Sequence, residues 1–140
     1  MNDKEMAKKL QKGAVLAQVN FEVIGNPKEH VEATLRDFMA NIEKEPSVEI
    51  ISKEFGEAEE IDAGMFSTFA DTEILFDNLE KLNWLCVNFM PASIEIIAPS
   101  ELKFSDKDLT HWFNDTLSKL HEVTTGYRTL STKEELFVKN

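Results

Sequence analysis

The chain has 140 residues, of which 26 are acidic and 15 basic, giving a formal net charge of −11; 42% of residues are apolar and 29% charged. One domain fits that length, since a second core would have too little chain to build it, and the balance is that of a globular protein rather than a disordered or fibrous one. Scattered lysines in an acidic chain argue against a nucleic-acid surface, which needs clustered cations to displace counterions, and no apolar run approaches the roughly 20 residues that span a bilayer.

Residues 1–13 hold Lys4, Lys8, Lys9 and Lys12 with no apolar stretch behind them, and so read as a charged tail or short helix rather than a signal peptide. From Ala14 to Ile24 the pattern is that of a strand: Val15, Ala17, Val19, Phe21 and Val23 fall on one side at period two, and Leu16, Gln18, Asn20, Glu22 and Ile24 on the other. Asn26-Pro27-Lys28-Glu29 reads as a helix start, with Asn26 expected to cap and Pro27 to suit the first helical position. Val31, Leu35, Phe38 and Ile42 then form one apolar stripe, and Pro46 stops the helix.

Val48 to Phe55 is a second strand, with Ile50 and Ile51 on opposite faces. The acidic stretch Gly56 to Gly64 is expected as an extended hairpin connection to a third strand, Met65 to Phe76. There Phe66, Thr68, Ala70, Thr72 and Ile74 share one face, while Met65, Phe69 and Leu75 share the other. Asp77 and Glu80 repeat a capping-box spacing, and the helix they open carries Leu79, Leu82, Cys86 and Phe89 before Pro91 ends it. Ala92 to Ala98 is a fourth strand, with Ile94 and Ile96 facing one way and Glu95 and Ile97 the other, and Pro99 breaks it.

Two successive strand–helix–strand units point to an α+β fold, the ferredoxin-like βαββαβ sandwich, spanning residues 14–104. Right-handed crossovers would set the first and third strands side by side at the centre. Two helices cover one face of such a sheet. Leu16, Ile51, Phe55, Phe69 and Ile97 are candidates for the other face, where together they would expose several hundred Å² of apolar surface. Burying each would gain about 1.5–3 kcal/mol, so the last helix, a second subunit or a ligand is expected to cover them.

Residues 105–140 read as a long carboxy-terminal helix that Ser105 and Asp108 begin. Leu109, Phe113, Thr116, Leu120, Val123, Tyr127, Leu130, Glu134 and Phe137 recur in steps of four and three, a heptad seam. The weak helix formers Thr124-Thr125-Gly126 offer a place to break, with Ser131 and Glu134 able to cap a new helix. The register runs unbroken through that gap, so one helix from Asp106 to Lys139 is expected, roughly 50 Å long at 1.5 Å per residue. A domain of this size has a radius of gyration of only ~13 Å, so the far end should overhang it.

The residues that might carry chemistry are dispersed. His30, His111 and His121 lack the spacing of metal ligands, and Cys86 sits on an apolar stripe with no adjacent base to make it a nucleophile. A lone cysteine forms no internal disulfide, which agrees with a reducing cytoplasm. Glu54, Glu57, Glu59, Glu60 and Asp62 offer oxygen ligands for a hard cation, but without the spacing or central glycine of a calcium loop; a solvated hairpin that discourages edge pairing is the expectation. The glycines are isolated, so no phosphate loop is present. Phe21 and Phe69 could stack on RNA bases, but the surrounding charge is wrong for it. Trp84 and Trp112 read as packing residues at the rim of the core.

The segment Phe89-Met90-Pro91-Ala92-Ser93-Ile94-Glu95-Ile96-Ile97-Ala98-Pro99, followed by a helix bearing Leu120-His121-Glu122-Val123, resembles small archaeal proteins of uncharacterised function. The resemblance covers the second half of the chain, implies a cytoplasmic archaeal setting, and brings no catalytic residue with it. The expectation is a non-catalytic protein that self-associates, as a dimer first of all, or binds a partner protein's helix, without metal, cofactor, nucleic acid or membrane. Its contact residues would be Leu109, Phe113, Leu120, Val123, Tyr127, Leu130 and Phe137. The alternative is a small-molecule sensor holding its ligand on the open sheet face beside Phe69.

Overall fold

The computed structural model describes the backbone of residues 1–135 and the side chains through residue 125. In chain order the elements are α1 (Asp3–Gln11), β1 (Val15–Gly25), α2 (Lys28–Glu43), β2 (Val48–Phe55), β3 (Glu59–Asp62), β4 (Met65–Phe76), α3 (Leu79–Phe89), β5 (Ser93–Ala98) and α4 (Asp106–Glu135). They form two compact units, Met1–Lys103 and Phe104–Asn140.

In the first unit the strands lie in the order β2-β4-β1-β5, all antiparallel, with β3 added to the start of β4. β1 and β4 are the central pair, as two right-handed crossovers require. On the helix-covered face of that pair, Val15 lies opposite Phe76, Ala17 opposite Ile74, Val19 opposite Thr72, and Phe21 opposite Ala70. All eight are buried, and the small Ala17 and Ala70 face the larger Ile74 and Phe21. The two buried hydroxyls are satisfied: Thr72 Oγ1 donates to the Val19 carbonyl at 2.7 Å and Thr68 Oγ1 to that of Gly56 at 2.8 Å.

Two helices close this face. α2 buries Val31, Leu35, Met39 and Ile42, and α3 buries Leu82 and Leu85. Phe89 joins them by edge-to-face contacts with Phe38 and Trp84, at centroid distances of 6.0 and 5.5 Å, so Trp84 packs against the core.

Three local expectations are corrected. Asn26 does not cap α2: its amide turns to the Met65 sulfur at 3.4 Å, and Pro27 stands at the cap without a side-chain bond. α3 is capped by Asn78, whose side chain accepts the Lys81 N–H at 3.0 Å, one residue later than an Asp77 cap. The acidic connection contains a strand of its own, β3, because β4 is longer than β2 and its first residues still need a partner. Ala58, between β2 and β3, is buried and donates its N–H to Glu32 of α2 at 3.1 Å.

In the second unit α4 is one helix through Thr124–Gly126, about 45 Å long at 1.5 Å per residue. Helical periodicity on both sides outweighs three poor helix formers in the middle. The Ser105 hydroxyl caps it by accepting the Asp108 N–H at 3.1 Å. Phe104 meets Trp112 edge-on, with centroids 5.8 Å apart. The expected end at Lys139 lies outside the described residues.

Candidate interaction surfaces

The sheet face away from α2 and α3 is apolar only at its ends. At one end Leu75 is buried and Leu16 half-buried on this face. Glu49, opposite Leu75, pairs with Lys9 at 3.6 Å, which brings α1 and its half-buried Met6 and Leu10 to this corner. At the other end Phe69 is half exposed and lies over Gly56: a Cβ there would come closer than 3.0 Å to three ring carbons, so this glycine makes room for the ring.

Between the ends the face is polar. Gln18 lies between Glu73 and Glu95, and Asn20 between Asp71 and Ser93. Glu54 stands directly opposite Asp71. A shallow groove of about 300 Å³ runs here, lined by Gln18, Ser52, Lys53, Glu54, Asp71, Thr72 and Glu73.

Of the five residues expected on this face, Leu16 and Phe69 are there, though at opposite ends. Phe55 is not. It pairs with Ala70, packs against the core from the helix side, and lies under the Arg36 guanidinium at 5.7 Å. A bulge after Ile50 shifts the alternation by one residue, which counting by twos from Val48 cannot detect. Ile51 is the half-buried extra residue of that bulge. Ile97 occupies a second bulge, opposite the Leu16/Ala17 step.

β5 is barely covered: every residue except the last is exposed. Ile94 and Ile96 pair with Val19 and Ala17 and so share the helix-covered face, yet they are 41% and 38% exposed. Ile97 is 46% exposed. Sequence alternation correctly groups Ile94 with Ile96, but does not reveal that the helices leave them uncovered.

Among the described residues of its unit, α4 carries four exposed large apolar side chains. Phe113, Leu117, Leu120 and Val123 are 64%, 48%, 55% and 62% exposed, while Leu109 is half-buried. Steps of four and three place Phe113, Leu117 and Leu120 on one stripe, with Val123 at its border. The heptad seam passes over Leu117, which follows Thr116 and belongs to the same surface. Tyr127 and Leu130 lie on the helix with side chains beyond those described, and Phe137 is outside the described residues.

Cys86 is half-buried, and the lost hydration of its anion pushes the thiol pKa up, which suits packing rather than attack. His111 Nε2 is 3.3 Å from Asp115 Oδ2, one helical turn away, with both side chains exposed. In the acidic hairpin, Asp62 Oδ1 accepts the Ala63 N–H at 2.8 Å and Glu60 Oε2 accepts the Gly64 N–H at 3.1 Å, so two of these carboxylates cap their own turn. Bonds from Ser47, and the nearby Lys81, hold the Glu45 carboxyl below the usual range against the opposing effect of desolvation.

Fold and surfaces together define a ferredoxin-like α+β protein with an appended amphipathic helix. The match to a family model over residues 16–138 makes the identity narrower: the chain belongs to the MJ0538 family. This agrees with the resemblance to a small archaeal family of uncharacterised function. No curated protein and no solved structure matches the chain. Among the described residues no helix is long and apolar enough to cross a membrane.

Proposed function

We propose that this is a non-catalytic, cytoplasmic module that associates with a second copy of itself, with α4 as the principal contact. The observation that carries the reading is the exposed stripe of Phe113, Leu117, Leu120 and Val123. Exposed apolar side chains aligned along one helix face gain by meeting a like surface, and facing helices of this spacing pack as knobs into holes. The net charge of −11 would keep the assembled particles apart and in solution. A single protonated thiol, Cys86, is consistent with a reducing compartment.

Light scattering of the full chain tests the proposal. The expected particle contains more than one copy, and both Leu120→Asp and truncation after His121 should reduce its mass. Unchanged mass in both would remove α4 as the contact. The sensor alternative rests on the groove over the polar centre of the sheet, whose lining favours a small cationic or hydroxyl-bearing ligand rather than an apolar one. Thermal melting against a panel of such compounds separates the two, because only a ligand bound to the folded state raises the midpoint.

A further inference from the structure

The sheet has two edges, and they are built differently. β2 is interrupted by a bulge after Ile50 and carries Glu49, Lys53 and Glu54, with Lys53 tied to Glu43 at 2.8 Å and Glu49 to Lys9 at 3.6 Å. Bulges and charges are the usual means by which proteins keep an edge from pairing. β5 has one charged residue, Glu95, no lysine or proline, and three exposed isoleucines. Among the described residues its only neighbour in the sheet is β1. What fits a bare strand edge is another extended strand, through main-chain hydrogen bonds and alternating side chains.

We propose that β5 pairs antiparallel with β5 of a second copy, in the register that sets Ile94 opposite its own counterpart. This rests on the self-association proposed above and names a second place where the copies meet. Residues opposite one another in a sheet share a face, so a symmetric pair must be centred on a single residue. The regular run of β5 is Ser93 to Ile96, with Ala92 before it held by its N–H donating to the Asn20 carbonyl at 2.7 Å; Pro91 bounds the segment on one side and the bulge at Ile97 on the other. Centring on Ser93 brings Pro91 into the ladder, centring on Ile96 brings in the bulge, and centring on Glu95 sets two carboxylates face to face.

Centring on Ile94 avoids all three. It places Ala92 opposite Ile96, small against large, and Ser93 opposite Glu95. The Ser93 oxygen accepts from Asn20 Nδ2 at 3.0 Å, which leaves its hydroxyl hydrogen for that carboxylate. The strand is therefore complementary to itself in one register, and a two-fold pair uses up both unguarded edges and closes as a dimer.

Hydrogen exchange on the unaltered full chain, followed by mass spectrometry at low and high protein concentration, tests this directly. Amides in residues 93–98 should exchange about tenfold more slowly at the high concentration, as those of a strand paired on both sides would. Ile94→Lys, at an exposed position, should reduce the particle mass while leaving the circular dichroism unchanged. If the chain self-associates but these amides exchange equally fast at both concentrations, and Ile94→Lys keeps the full mass, the β5 contact is overturned and association through α4 stands. A chain of single-copy mass at the high concentration overturns both. Should Ile94→Lys fail to fold, the exchange measurement on the unaltered chain decides alone.

Discussion

Met90 ends α3 in the left-handed conformation, with φ 44°. A side chain pays for that conformation where glycine does not, and Met90 is largely exposed, so little packing would be lost by removing it. Met90→Gly should raise stability by roughly 0.5–1 kcal/mol after the added freedom of glycine in the unfolded chain is counted, read as a higher melting midpoint. Asp71 and Glu54 face each other across β4 and β2, and like charges in that position destabilise. Asp71→Asn should therefore stabilise by about 0.2–1 kcal/mol, with the gain shrinking as salt screens the repulsion. Glu45 has its pKa lowered in the folded protein, first by the Ser47 hydroxyl, so its ionised form favours folding. That contribution is present above its ordinary value of 4.5 and is lost as pH falls through the lower folded value. Glu45→Gln should melt earlier than the parent near neutral pH, and the difference should close below pH 4.5.

The elements differ in how plainly their residues announced them. β1 and α2 were legible because one face is buried and the other wet, so that alternation in β1 and a four-three stripe in α2 are printed in side-chain chemistry. β3 was hidden: all of its residues are exposed, and it exists because β4 outruns β2. The bulges in β2 and β5 were hidden for a related reason, since an extra residue leaves no mark in composition. α4 shows the limit of periodicity from the other side. Its pattern tells that a face is apolar, but not which part of that face stays uncovered, and Leu117 was passed over on that account. Leu120→Asp should leave helix content nearly unchanged by circular dichroism even as it lowers particle mass, because the side chain is exposed in the single chain.

At the scale of the molecule, the order of strands and helices together with right-handed crossovers was enough to specify the ferredoxin-like sandwich, and its central β1–β4 pair follows from those rules. Hydrophobic periodicity is a local property of the chain, and it marked the core residues of β1 and, in α2, Val31, Leu35 and Ile42, while the fourth buried residue of α2 is Met39 rather than the half-buried Phe38 of the expected stripe. Coverage is not local. Whether an apolar side chain meets water depends on what lies above it, which is why Ile94 and Ile96 turned out to be exposed on the helix-covered side. The amino-acid sequence thus determined the elements other than β3, their order and the excess of apolar surface; the tertiary structure alone decided where that surface lies, because burial is a relation between elements far apart in the chain.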